Sequence, residues 1–194
     1  MKLLIGLGIA FAVLVGALLL VLGISIGIKN GLIAKDEAVD ANWAQIETQL
    51  QRRGDLIPNL VNTVKGYAKH ESKVFKDIAN ARSLLLAAKG PAKKAEADAA
   101  LTGALGRLLA VVEQYPNLKA DKSFTRLQDE LAGTENRIAV ARKRYNDSVK
   151  VFNMSIKQFP GSFFAPGMGF EEKEYYRPPN INELQKPPEV KFND

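Results

Sequence analysis

The first 28 residues and the rest of the chain follow two different hydrophobic rules. Residues 3–28 carry no charge at all: seventeen of the 26 are Leu, Ile, Val or Phe, and the other nine are Gly, Ala or Ser. From Val39 onward the apolar positions recur at alternating steps of four and three. The series runs Val39, Trp43, Ile46, Leu50, Arg53, Ile57, Leu60, Val64, Tyr67, Glu71, Val74, Ile78, Ala81, Leu85, interrupted only by Arg53 and Glu71. Such spacing is a stripe down one side of an α-helix. Gly54-Asp55 breaks the pattern locally, Asp55 is a good cap, and Pro58 is tolerated only in a first turn. The pattern therefore predicts one helix over 30–53 and another over 55–88. After Gly90-Pro91 a third covers 93–115, through Leu101, Leu105, Leu108, Val112 and Tyr115. Pro116-Asn117 ends it, Ser123 caps a fourth helix, and Pro160-Gly161 stops that one.

No alternating strand pattern interrupts these stripes, so the fold class is all-α. Short links between amphipathic helices predict an up-and-down antiparallel four-helix bundle behind the apolar leader. The alternative joins the first two helices into one kinked rod within a three-helix coiled coil. The expected organisation is an anchor over 1–29, a bundle over 30–160, and an apolar strap with a Pro-rich tail over 161–194. In the four-helix arrangement, the 89–94 loop and the segment after Phe159 both come back toward the anchor's side.

The uncharged run rises ~39 Å as a helix, against about 30 Å of bilayer hydrocarbon. It is too long for the apolar region of a cleaved signal peptide, so it reads as an uncleaved, single-pass transmembrane helix. Gly23 and Gly27 form a GxxxG pair suited to helix packing in lipid. The positive-inside rule weighs the amino terminus and Lys2 against Lys29 and Lys35, which leaves the side of the bundle open.

The tail divides in two. FPGSFFAPGMGF at 159–170 is too apolar for a solvated linker and too rich in Pro and Gly for a helix. It reads as a strap packed on the bundle or as a segment at the lipid interface. Residues 171–194, with Pro178, Pro179, Pro187 and Pro188, read as an extended arm.

Composition narrows the chemistry. The chain has no Cys and a single His, which removes thiolate zinc sites, disulfides, Cys nucleophiles and multi-His metal sites. His70-Glu71 opens like a zincin motif, but Val74 stands where the second His is required. Asp129, Glu130 and Glu135 read as helix-face charges. No catalytic group, metal or cofactor is expected. The net charge is +6, concentrated in residues 52–94 with ten bases against three acids. Lys65, Lys69, Lys73 and Lys76 fall on one face of the second helix, and Lys89, Lys93 and Lys94 follow in the loop. These seven are candidate contacts for anionic lipid or an acidic partner; with no reading motif, nucleic acid is not an expected partner. Arg53 and Glu71, in the core phase, need partners if buried, and Asn59, Asn62, Asn136, Arg137 and Asn146 are candidates. Trp43 reads as a core anchor.

Longer stretches carry a resemblance. RRGDLIPNLVNTVKGYAKHE at 52–71, LLAVVEQYPNLKADKSF at 108–124, LQDELAGTENRIAVARKRYNDSV at 127–149 and NMSIKQFP at 153–160 closely resemble the LemA family. The resemblance implies a bacterial inner-membrane protein with one N-terminal transmembrane helix, an up-and-down helical bundle and no enzymatic activity. It also implies ties to magnetosome membranes in some relatives, and to membrane metalloproteases or TPM-domain proteins in others. Arg52, Arg53, Asp55, Pro58 and Asn59 match recurring positions, which read as turn and bundle architecture. Gly54 stands where relatives carry a bulkier residue. The expectation is a membrane-anchored scaffold or adaptor that forms homo-oligomers or recruits another membrane protein. The alternative is a lipid-surface module that organises the membrane.

Overall fold

The computed structural model describes residues 2–177. Five helices and two short helical turns follow in order: α1 (Lys2–Tyr67), α2 (Ser72–Ala87), α3 (Pro91–Val112), α4 (Pro116–Lys119), α5 (Lys122–Lys157), α6 (Gly161–Phe164) and a 3-10 turn at Pro166–Met168. No strand occurs among the described residues, so the all-α class is correct. Of the extended arm expected over 171–194, residues 178–194, with all four prolines, lie outside the described residues. The chain divides into two compact units, one of residues 1–41 with 148–173 and one of residues 42–147 with 174–194.

The larger unit is an up-and-down four-helix arrangement of α1, α2, α3 and α5. α2 runs back along α1: Lys65 lies over the Phe75 ring, and Arg82 reaches Gly54. α3 then runs parallel to α1, pairing Arg53 with Asp98 and Thr102. α5 returns, bringing Asp121 to Tyr67, Glu135 to Arg53 and Tyr145 to Trp43. The buried set follows the expected stripes: Ile46, Leu50, Ile57, Leu60 and Val64 on α1, Ile78 and Leu85 on α2, Leu101 and Leu108 on α3, Phe124 and Ile138 on α5.

The expected break at Gly54-Asp55 is absent. α1 runs unbroken through both residues and through Pro58. A proline inside a helix has no N–H for the carbonyl four residues back, which here is that of Gly54. Arg82 supplies the missing donor: its Nε–H bonds to the Gly54 carbonyl at 2.7 Å. Gly54 also leaves room for Leu86, whose Cδ2 lies 3.1 Å from where a Cβ would stand. The Gly/Pro pair is thus repaired from α2 instead of forming a corner. The corner comes at residues 68–71, and α2 is only 16 residues long. Arg82 and Leu86, in its last turns, already meet Gly54, so α2 ends close to the middle of this unit's stretch of α1.

Two ends also differ. α3 begins at Pro91, a first-turn proline behind Gly90 at φ 80°. Ser123 does not cap α5; Asp121 does, accepting from the N–H groups of Ser123 (2.8 Å) and Phe124 (3.0 Å). Those bonds hold the Asp121 carboxyl below its usual range, first through Phe124 and next through the Tyr67 phenol. A carboxylate at this position also suits the helix dipole.

The smaller unit packs α1 against the end of α5 and the segment that follows. Leu32, Val39, Val149, Phe152, Ile156 and Ala165 are buried there. The 159–170 segment, read from sequence as non-helical, contains α6 and the 3-10 turn. Its prolines, Gly161 and Gly169 sit at the ends of these short turns, where they are tolerated: Pro160 precedes α6, Gly161 and Pro166 open the two turns, and Gly169 closes the second at φ 71°. Phe170 meets Phe152 edge-on, with centroids 5.5 Å apart. From Leu14 onward, α1 is long and apolar enough to cross a membrane.

Candidate functional site

Arg53 is the centre of a polar layer in the larger unit. Its place in the α1 stripe carries it inward, to 4 % exposure. Nη1 bonds Asp98 Oδ1 at 2.5 Å and lies 2.8 Å from Glu135 Oε2, and Nη2 donates to Thr102 Oγ1 at 2.9 Å. Thr102 in turn donates to the Asp98 carbonyl. The second Asp98 oxygen accepts from the Tyr176 phenol at 3.2 Å. Burial, then the Asp98 carboxylate, push the Tyr176 phenol above its usual range, so it remains a donor. Both Asp98 oxygens are engaged, whereas the Arg53 Nε–H is buried without a hydrogen-bond partner. The layer ties α1, α3 and α5 to the chain beyond Lys173.

The partners suggested by sequence are not the ones used. Asn59 is exposed, and its carbonyl accepts from Thr63 Oγ1. Asn146 holds backbone instead. Asp98 was open to prediction, because it extends the α3 stripe one step upstream of Leu101; Tyr176 carried no such signal. Of the remaining motif residues, Arg52 is exposed and Asp55 accepts from Gln51 Nε2 within the helix. Trp43 is half-buried, its ring 5.3 Å from Tyr145 and 6.3 Å from Tyr176. Glu71 immediately precedes α2.

Two asparagines of α5 grip the backbone that follows the bundle. In the larger unit, Asn146 Nδ2 donates to the Tyr176 carbonyl (3.1 Å), and its Oδ1 accepts from the Tyr176 N–H (2.9 Å). The Tyr145 phenol donates to the Glu174 carbonyl at 2.8 Å. In the smaller unit, Asn153 makes the same reciprocal pair with Lys173, both bonds at 2.9 Å. A primary amide offers one donor and one acceptor side by side, the same pattern a strand presents to its neighbour. Lys173 also pairs with Asp36 at 2.8 Å and Asp40 at 3.3 Å. Burial works to lower the Lys173 pKa, but the two carboxylates outweigh it, and the net direction is upward.

The four lysines expected on one face of a single second helix fall on three segments, and Lys93 and Lys94, expected in the loop, lie in the first turn of α3. Lys65 belongs to α1, Lys69 to the corner, and Lys73 and Lys76 to α2. Lys65, Lys69 and Lys76 nevertheless line one open cavity of about 420 Å³ with Ser72, Phe75 and Ala79. Lys89, Lys93 and Lys94 stand at the other end of α2, ~24 Å away by helical rise. Lys94 Nζ donates to the Leu85 carbonyl at 3.1 Å, closing the end of α2. A Cβ on Gly23 or Gly27 would meet nothing within 4 Å, so that side of α1 is open. A groove of about 580 Å³ lies between α3 and α5, with Leu60, Leu105 and Leu108 among its lining and Arg53, Thr102 and Glu135 at one end. Among the described residues no three His, Asp or Glu side chains are grouped to hold a metal ion.

Known proteins share this sequence pattern. Magnetosome protein MamQ of Magnetospirillum gryphiswaldense is 28% identical over 173 residues, covering 76% of this chain and 64% of its own length. Magnetosome protein MamQ 2 of Paramagnetospirillum magneticum is 28% identical over 174 residues, with the same coverage of 76% and 64%. Protein LemA of Metamycoplasma hominis is 25% identical over 135 residues, 69% of this chain and 62% of that one. The chain thus spans somewhat less than two-thirds of the length of these relatives. The sequence model of the LemA family matches residues 42–192, which takes in the polar layer, both asparagine grips and the Gly54/Pro58 repair, and the chain belongs to the LemA family.

Proposed function

We propose that this chain is a membrane-anchored, single-pass helical-bundle scaffold or adaptor of the bacterial inner membrane, acting by self-association or by recruiting a membrane partner, without catalysis. The observation that carries the reading is the continuity of α1. One 66-residue helix holds both an apolar stretch long enough to span a bilayer and a buried stripe of the bundle. The polar groups inside the bundle support a non-catalytic role, because Arg53, Asp98 and Thr102 are spent on one another. The magnetosome assignment of two relatives supports work at a membrane.

The second reading, a module that organises the lipid surface, is favoured by the exposed Phe159 and Phe163 in the 159–170 segment. Crosslinking of the full chain in native membranes separates the two. The scaffold reading expects a discrete oligomer or a defined second protein. Monomer alone, at every crosslinker length, would count against it.

A further inference from the structure

The most exposed large apolar side chains among the described residues are not in the uncharged run of α1. Phe159 is 86 % exposed and Phe163 78 %, against 69 % for Phe11, the highest value among the described side chains of that run. Exposed phenylalanines on a folded segment call for a partner. Their position in the smaller unit identifies it. Phe159, Pro160 and Gly161 line a cavity of about 290 Å³ with Ile28, Gly31, Leu32 and Lys35 of α1. Ile28 is the last residue of the uncharged run. Phe159 therefore stands within about a helical turn of the level at which α1 changes from apolar to charged, and Phe163 follows it by four residues, in α6.

The segment is held there firmly. A Cβ on Gly161 would come 1.9 Å from the Ser155 carbonyl oxygen and 3.5 Å from Leu32, so the backbone is pressed against both α5 and α1. Ala165 is buried behind it, and Phe164 packs edge-on to Phe163 with centroids 5.2 Å apart. Lys29 follows Ile28 directly, and Lys35 lines the same cavity. Apolar rings beside lysines, at the end of a membrane-length helix, match the boundary between headgroups and acyl chains, where amphipathic segments bury aromatic residues.

We propose that Phe159 and Phe163 form an aromatic foot that enters the headgroup–acyl boundary of the bilayer crossed by α1. The foot rests on the reading of α1 as a membrane span and adds a second point of attachment. One helix crossing a bilayer is free to rotate about its axis and to tilt. A foot fixed to α5 and α1 at the exit point removes much of that freedom and gives the smaller unit one orientation toward the surface.

The cysteine-free chain allows a direct test on the full-length protein in phosphatidylcholine–phosphatidylglycerol vesicles. Single nitroxide labels go on Phe163→Cys, on Ser162→Cys as a variant that keeps both rings, on Leu22→Cys within the span, and on Leu84→Cys, an exposed apolar site of α2. Collision with oxygen is compared with collision with a water-soluble nickel chelate. The foot expects the oxygen-to-nickel ratio at 162 and 163 to exceed that at 84 severalfold and to fall below that at 22. A ratio at 162 and 163 equal to that at 84, with 22 still shielded, overturns the foot and leaves the span intact. A nickel-accessible label at 22 overturns the span and the foot with it. Shielding of 163 from both reagents, with label–label broadening, assigns the rings to a contact between copies and also overturns the proposal.

Discussion

Arg82 and Gly54 are joined by a 2.7 Å hydrogen bond from the guanidinium Nε–H to a main-chain carbonyl. That carbonyl is the one Pro58 leaves without an intrahelical donor. A side chain of α2 therefore completes the backbone of α1, and the two positions are coupled through a third. Replacing Arg82 by Met should leave a partly buried carbonyl unsatisfied, at a cost of about 1–3 kcal/mol. With Pro58→Ala the helix regains its own donor, and the same Arg82→Met change should then cost much less. Thermal unfolding of the four full-length proteins in detergent, followed by circular dichroism, gives the coupling. Equal costs in the two backgrounds would show that Arg82 acts elsewhere.

The Arg53 layer is the most sensitive point of the larger unit. Arg53→Ala strands Asp98 in the core and should cost about 3–5 kcal/mol, the range for breaking a buried pair. Arg53→Lys should also destabilise, since one ammonium cannot reproduce the fork that reaches Asp98 and Thr102 together. Asp98→Leu combined with Arg53→Leu should lose less than the two single changes added. An additive pair in chemical denaturation would show that the two charges are not coupled.

At the strap, Asn153→Asp removes the donor to the Lys173 carbonyl and sets a carboxylate against that oxygen. The Lys173 amide should then exchange with solvent faster, severalfold or more. Asn146→Asp should do the same for the Tyr176 amide. Hydrogen exchange read by mass spectrometry resolves the two segments. Unchanged protection in both variants would mean that the grips are incidental.

Alkaline titration should release the Lys173 end of the strap. The Lys173 pKa is raised above the ordinary lysine value of 10.5, because Asp36 and Asp40 outweigh burial. A raised folded-state pKa makes the stabilisation complete below the unfolded value and removes it as pH climbs through the folded one. Proteolysis within 171–177 should therefore stay flat across neutral pH and rise only above about 10.5. Asp36→Asn should move the onset to lower pH.

Gly161→Ala should be severe, because its Cβ would collide with the Ser155 carbonyl, a backbone atom that cannot swing aside. Loss of Phe170–Phe152 packing, seen as increased exchange in 161–170, would follow. Gly23→Ala meets open space and should leave unfolding unchanged.

Much of this fold was legible in the residue pattern, because core packing repeats. Val39, Ile46, Leu50, Ile57, Leu60 and Val64 are buried as their spacing requires. The failures came where a long-range partner overrides a local rule. Gly54-Asp55 and Pro58 spell a helix boundary, and only Arg82, 28 residues away, makes them mid-helix. Ser123 is a good cap by type, yet Asp121, placed by the short α4 turn, reaches the amides first. Arg53, in the core phase, calls for a partner, and Asp98, which continues the α3 stripe, supplies it. Tyr176 and Lys173 carried no signal, since an extended segment has no periodicity to betray which residue faces inward.

Because the amides of Asn146 and Asn153 recognise peptide groups and ignore the substituents those groups bear, evolution is at liberty to rewrite nearly every letter of this ribbon. Only the ammonium at 173 and the ring at 176 are chosen for what they are. Homologues can therefore diverge almost completely across these few positions while keeping an identical ribbon path, and a search that scores letters alone will understate their kinship.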